Sequence, residues 1–598
     1  MSPSKPESPV PLDWRWLLAL WAVAAATLVV RSLVAETGRP LFADTDDAMR
    51  MVVVRDFLAG QGWYDLVQHR LNTPFGAEIH WSRLVDLPLA LLLSALTPLL
   101  GADTALLAAG TVWPLLLLGV LLYLSARTTL ELVGPEGLLP ALVLPVLSPA
   151  ILAEFTPGRV DHHNVIILFT LATLWASLVA LRRPGFAWLA GLVAATALAV
   201  AIEAIPLVVA AILAFGIAYV ADPARARAGA MGRFGLALGG GLALHLALAR
   251  PPARWLEAAC DMLSPVYVLA GLLVGAAYLL VALLPAPRRA PVRLLLLAAL
   301  GLAAAAAVVF AYPQCLAGPY GDLDPWLQRN WIAAIVEAKP WHASLAELPA
   351  YALAVGVPAF LAMAVVLFAL WRDARHRLGW LVLLVFLALA TAIMLAQVRG
   401  ARLVVMPAVP AAAWLIVMAR RAYLRRASAA SVAGLVGGWL AFSGVILATL
   451  VGLTVNALPA GRPQVVQQAR ASKLPCLLDA AFADLRALPP ERVMAPIDLG
   501  SHLLLETPHE VVAAPYHRNE AGVLDAFRFF NRPVEEARAI AVRRGLGLVV
   551  TCPAMPEMQG VGTRETPALV DLLAAGTPPG WLAEVPAPGP LRVYAVMP

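Results

Sequence analysis

Thirteen apolar segments, separated by short loops that repeatedly carry paired arginines, leave this chain few ways to fold. They run near 14–35, 104–125, 136–153, 163–181, 186–200, 204–221, 233–249, 264–284, 293–312, 349–371, 379–398, 402–419 and 431–456. About 20 apolar residues in a helix cross a hydrocarbon core, and only helices or closed barrels satisfy their own backbone there. With 61% hydrophobic and 14% charged residues among 598, the chain exceeds what a soluble domain of this size could bury. The expected fold class is therefore a polytopic α-helical membrane protein with about thirteen transmembrane helices. The first segment follows a short polar N-terminus without a small-residue cleavage site and reads as a retained anchor.

The arginines fix the orientation. Arg182-Arg183, Arg225-Arg227-Arg233, Arg288-Arg289-Arg293, Arg372-Arg375-Arg377 and Arg420-Arg421-Arg425-Arg426 all lie in short loops. The positive-inside rule places them in the cytoplasm, with the N-terminus inside and the C-terminal region outside. Parity then requires that the apolar stretch at 86–101, which contains Pro88, lies in the interface or re-enters rather than crossing. The net charge of +6 sits in these loops, so no nucleic-acid partner is expected.

Two regions follow: a transmembrane catalytic domain, 1–456, with outer loops at 36–85 and 313–348, and an outer domain, 457–598. The second is more polar. Strand-like runs at Leu546–Thr551 and Leu591–Val596 alternate there with helical patterns at Ala481–Ala487 and Val534–Arg544, as in a small mixed α/β domain. An amphipathic helix is expected at Met49–Ala59. Cys260, Cys315, Cys476 and Cys552 all map outside, where three pairings are open. Cys476 with Cys552 is the simplest, and Cys260 with Cys315 would tie two outer loops; free thiols are the alternative.

Two polar knots interrupt the apolar pattern. Asp44, Thr45, Asp46 and Asp47 follow the first span, and Arg159-Val160-Asp161-His162-His163-Asn164 precedes the fourth. Carboxylates this close to a bilayer need a cation, a partner or water. If both knots lie on one membrane side they could form one divalent-metal site, although Asp161 could also cap the helix that follows. Arg399 and Arg402, at the outer mouth of two spans, could bind phosphate oxygens or reach for headgroups. Asp65, Glu78 and Asp86 read as structural or loop-surface groups, and Thr507–His509 and Ala514–Asn519 as surface loops ahead of the alternative that they line an acceptor cleft.

These residues resemble the catalytic subunit of oligosaccharyltransferases, within the polyprenyl-phosphate-sugar-dependent C-type glycosyltransferases. The resemblance covers the whole plan of spans, outer loops and outer domain. It implies that Asp47 in Thr45-Asp46-Asp47 binds metal and acceptor, with Asp46 its nearest substitute. It also implies that Asp161 is a metal ligand, with His163 standing where the family has glutamate. Glu337, in Ile335-Val336-Glu337-Ala338-Lys339-Pro340, would contact acceptor or metal, and one of Arg399 and Arg402 the lipid phosphate. The family's Trp-Trp-Asp motif is represented only by Asp498 in Ala495-Pro496-Ile497-Asp498-Leu499-Gly500, both tryptophans being absent.

The implied activity is metal-assisted transfer, with Mn or Mg, of a sugar or oligosaccharide from a polyprenyl-linked donor. The acceptor would be a protein, glycan or lipid on the outer face of an inner membrane. A lipid-phosphate transferase would need a nucleophile within a dense metal cluster, for which Thr507 with His502 and His509 is a sparse set. An ion-coupled transporter would place its charges at mid-membrane in repeated halves, and no repeat is evident.

Overall fold

A computed structural model of the chain describes residues 12–34, 39–456, 473–555, 558 and 568–597. Among them, eleven helices are long and apolar enough to cross a membrane, or thirteen if each of two bent pairs forms one span. The protein is a multi-span membrane protein.

Three segments differ from the sequence expectation. The stretch read as one span at 136–153 is two helical pieces, Pro135–Leu147 and Pro149–Phe155, meeting at 71°. Pro149 follows an extended Ser148 (φ −106°, ψ 122°), and a proline cannot continue the hydrogen-bond ladder across that break. The stretch read as one span at 431–456 is likewise two helices, Ala429–Phe442 and Gly444–Asn456, bent by 85°. The two breaks touch. A Cβ on Gly444 would lie 2.7 Å from Pro149 Cδ and 2.9 Å from the Ala354 carbonyl oxygen, so only glycine lets the backbones approach. Third, the stretch at 86–101, expected not to cross, belongs to the helix Arg83–Leu100, whose 18 residues qualify it as a span by length and composition.

The C-terminal portion, expected from the arginine loops to lie on the outer side, is built around a mixed five-stranded sheet. Its strands lie in the order Glu510–Val511, Arg492–Met494, Leu548–Thr551, Arg592–Val596 and Leu582–Val585. The first three are parallel and the last two pairings antiparallel. Phe529, Phe530 and Trp581 fill the core on one face. The helical pattern at Val534–Arg544 is a helix closed by a left-handed Gly545 (φ 61°), a favourable C-terminal cap.

This domain and the first outer loop are one packed unit. Leu71 continues the sheet edge beside Val511, where the Val511 N–H donates to the Arg70 carbonyl (2.8 Å) and the Thr73 N–H to the Val511 carbonyl (3.1 Å). Arg55 and Arg70 donate to the carbonyls of Leu505 and Leu504 (2.6 and 2.8 Å), capping the helix Ile497–Glu506. The disulfides are Cys476–Cys552, within the domain, and Cys260–Cys315, joining two outer loops.

Candidate active site

The aspartate run divides its work by helix geometry. Asp44 caps the helix Thr45–Leu58 by accepting from the Asp46 N–H (3.0 Å). Asp46 and Asp47 occupy the first turn, where the helix dipole favours anions. Successive positions on a helix point about 100° apart, so the two carboxylates face different ways. Asp47 turns inward and is 1% exposed. Its Oδ1 accepts from the backbone N–H groups of Val160 (2.8 Å) and Asp161 (2.9 Å), and its Oδ2 from Arg159 (2.7 Å). Asp46 instead lines a cavity.

Arg159 also bridges Asp44 (2.9 Å) and Glu154 (3.0 Å), so it gathers three carboxylates. The turn that presents it depends on Gly158 at φ +92°, where a Cβ would stand 2.0 Å from the Leu41 carbonyl oxygen. Two polar knots over a hundred residues apart in sequence are thereby locked into one.

Asp161 is buried, and the cavity is lined by its neighbours His162 and His163. Its Oδ1 accepts from Arg50 (3.2 Å) and pairs with His162 Nδ1 (2.7 Å). Its Oδ2 is buried without a hydrogen bond, with His163 Nε2 at 3.3 Å. His163 Nδ1 is likewise buried without a well-formed hydrogen bond, with the Glu203 carboxylate at 3.2 Å. Ligand atoms of Asp161, His162 and His163 lie within 4.8 Å of one another. Burial, with the charges of Asp161 and Asp44, pushes the Asp46 carboxyl well above the usual range, and His163 opposes the shift. A divalent cation fits this set: it would satisfy the orphaned carboxylate oxygen and relieve the crowding of acids. Mixed carboxylate and imidazole donors suit Mn or Zn better than Mg.

Arg50 is the rear wall. It is fully buried, donates to Asp86 (2.6 Å) as well as Asp161, and lies 4.2 Å over the Trp81 ring. Trp81 meets Tyr516 edge-on (5.4 Å), and the Tyr516 hydroxyl donates to the Thr45 carbonyl (3.0 Å). The outer domain thus reaches the start of the aspartate helix directly.

The cavity has a volume of about 230 Å³. Asp46, His163, Glu203 and Arg399 line one part, and Glu337 and Tyr320 join them from the 313–348 loop. Arg399 sits on the short helical turn Val398–Gly400 that separates two long helices, with Glu203 at 3.6 Å. Arg402 lies behind it, outside the cavity lining, paired with Glu337 (3.0 Å) and Glu154 (3.5 Å). The Val398 N–H donates to the Lys339 carbonyl (2.8 Å), tying the arginine turn to the Glu337 loop.

The structure therefore gathers Asp46, Asp47, Asp161 and His163, sets Glu337 and Arg399 on the same cavity, and leaves Arg402 as their support. Asp498 is elsewhere: it pairs with Lys473 (2.8 Å) and does not line the cavity. In its place the outer domain contributes Pro515, Tyr516 and His517, from the stretch read in sequence as a surface loop. Glu203 was also missed. Its signal was a lone glutamate in a tight outer turn between two apolar spans, which the rarity of such charges makes informative. His80 lies in His80-Trp81-Ser82-Arg83, which reads in sequence as an interfacial anchor ahead of a donor contact, whereas Asp261 sits in no local motif.

No protein-family profile matches the sequence, and no curated protein matches it significantly. Solved structures do share the fold. AglB, the archaeal oligosaccharyltransferase of Archaeoglobus fulgidus, in complex with an inhibitory peptide and a dolichol-phosphate, aligns with a TM-score of 0.66 at 15% identity, over 97% of this chain and 74% of that one. The same organism's enzyme tethered to an acceptor peptide containing the NVT sequon aligns with a TM-score of 0.62 at 15% identity, over 98% and 74%. Its complex with Zn and sulfate gives 0.57 at 15% identity, over 97% and 73%. The fold is that of the oligosaccharyltransferases, from the first membrane helix through the outer sheet.

Proposed function

We propose that this protein is a metal-assisted glycosyltransferase. It moves a sugar or oligosaccharide from a polyprenyl-linked donor to an acceptor on the outer face of a cell's inner membrane, with its N-terminus in the cytoplasm. The carrying observation is that Asp46, His163 and Arg399 line one cavity, with the buried Asp161 carboxylate 3.3 Å from His163. The fold supports this reading, since neighbours sharing it were solved with a dolichol-phosphate and with Zn and sulfate.

Asp46, Asp161 and His163 would hold the divalent ion, and Glu203 would orient the His163 ring through its second nitrogen. Bound there, the ion would neutralise the departing lipid phosphate as a Lewis acid. Arg399 would take phosphate oxygens at the same end of the cavity, a role that guanidinium geometry suits. Glu337 would flank the acceptor, its position set by Arg402. Asp47 acts through structure: it holds the backbone that carries Asp161. The catalytic carboxylate of the run is therefore Asp46.

The test uses the purified full chain, a labelled polyprenyl-linked sugar and Mn²⁺. Asp46→Asn and Asp161→Asn, folded by thermal denaturation, should lose transfer by at least about a hundredfold. Near-native transfer in either variant would sink the assignment.

A further inference from the structure

Away from the metal ligands, the cavity wall carries a histidine–carboxylate pair, His517 from the outer domain and Asp261 from the loop before the helix Pro265–Leu283. His517 Nε2 lies 2.7 Å from Asp261 Oδ2. Asp261 is itself clamped by Arg518, which donates to both of its oxygens (2.6 and 2.8 Å), and its neighbour Cys260 is fixed to Cys315. The carboxylate thus holds the proton on Nε2 and leaves Nδ1, which has no protein partner among the described residues, with the lone pair. His80, Asp261 and His517 could suggest a second metal site. The guanidinium of Arg518 on both Asp261 oxygens argues against an ion there.

The pair also adjoins the donor end. Tyr320 packs edge-on against His517, with ring centroids 5.1 Å apart, and lies beside Arg399. His80 faces His517 from the first outer loop at 4.7 Å. Burial and the neighbouring His517 and Arg518 push His80 down to about 3, so it stays neutral beside its partner. The groups facing His517 are then Asp261, Arg518, neutral His80 and Tyr320.

We propose that His517 is the general base for a hydroxyl acceptor, so that this site glycosylates the oxygen of a carbohydrate or lipid alcohol rather than an amide nitrogen. The inference rests on the sugar-transfer reading above. A hydroxyl is a poor nucleophile until its proton is removed, and a histidine held by a carboxylate does this at neutral pH. A hydroxyl keeps its lone pairs on oxygen, so proton removal during attack suffices, whereas an amide nitrogen's pair is delocalised into its carbonyl and needs further contacts to free it. Asp498, the position expected to read an amide-bearing acceptor, points instead to Lys473. In the step, the acceptor oxygen bonds the anomeric carbon as the bond from that carbon to the phosphate oxygen breaks. The acceptor proton passes to His517 Nδ1, and the polyprenyl phosphate leaves with the bonding electrons towards Arg399. Asp261 is a positioning residue that stabilises the imidazolium.

The experiment uses the full chain in phosphatidylcholine nanodiscs, so that no glycoside detergent competes, with Mn²⁺ and labelled polyprenyl-monophosphate and polyprenyl-diphosphate sugars. Acceptors are octyl glucoside below its micellar concentration, dodecanol, and a peptide containing Asn-Val-Thr. Label should reach octyl glucoside or dodecanol, the arm distinguishing carbohydrate from lipid. His517→Gln should lower kcat by about 10²–10⁴ with donor KM unchanged. His517→Ala should regain transfer on addition of imidazole, which a structural role would not permit. Label on the peptide nitrogen alone, or His517→Gln within threefold of wild type, overturns the inference. Donor cleavage with no acceptor labelled overturns it too but keeps the sugar-transfer reading. No donor cleavage by the wild type overturns both.

Discussion

Asp47 accepts the backbone N–H of Asp161 at 2.9 Å, and this bond joins the two acidic knots of the chain. Asp47, which looks catalytic in sequence, is engaged by Val160, Asp161 and Arg159, while its neighbour Asp46 lines the cavity.

Asp46 and Asp47 should therefore fail differently. Asp47→Ala strips Arg159 of its shortest ion pair and leaves two buried N–H groups unsatisfied. Breaking a buried pair of this kind costs about 3–5 kcal/mol. Thermal denaturation in detergent should show a strongly lowered midpoint for Asp47→Ala and a near-normal one for Asp46→Ala. Activity should be lost in both.

Gly158→Ala should destabilise the protein although it adds one methyl group. That methyl would meet the Leu41 carbonyl at 2.0 Å, in a backbone conformation that already disfavours side chains. The expected loss is at least about 2 kcal/mol. Denaturation midpoints of the two proteins check it, and equal midpoints would show that the turn relaxes freely.

Arg399, on the cavity, and Arg402, behind it, should separate into donor binding and support. Arg399→Ala should raise donor KM by about tenfold to a hundredfold, the worth of one charged hydrogen bond, and leave the fold intact. Arg402→Ala unpairs Glu154 and Glu337 and should show mainly as lost stability. Initial rates against donor concentration, with melting curves, distinguish them.

Glu203→Gln should weaken metal binding without removing a ligand. Its carboxylate lies 3.2 Å from His163 Nδ1, and such supporting contacts carry about 10–100-fold in affinity. Mn²⁺ titration of both proteins by calorimetry reads this directly.

Acidification should destabilise the protein partly through His80, which is held neutral by burial down to about 3 against an ordinary value of 6.5. Below 6.5 the unfolded chain binds a proton that the folded site refuses, so stability is full above that pH and falls as pH drops towards 3. The slope is at most about 1.4 kcal/mol per pH unit. His80→Asn should flatten this part of the stability profile, measured as denaturation midpoint against pH.

Much of this protein was legible in the sequence because the bilayer imposes its own length and polarity on each segment. Composition alone required membrane helices, and the spacing of Asp44–Asp47 and Arg159–Asn164 marked the two knots. Both disulfides were among the pairings left open by four outer cysteines. The bends at Ser148 and Ser443 were not readable, since they arise where Gly444 and Pro149 let two backbones meet. Nor could the sequence choose between Asp46 and Asp47. Adjacent carboxylates have the same chemistry, and only the rotation of one helix turn decides which is consumed by Arg159 and which meets the cavity. His80, Asp261 and His517 come together from three distant segments, so tertiary packing alone made them a cluster.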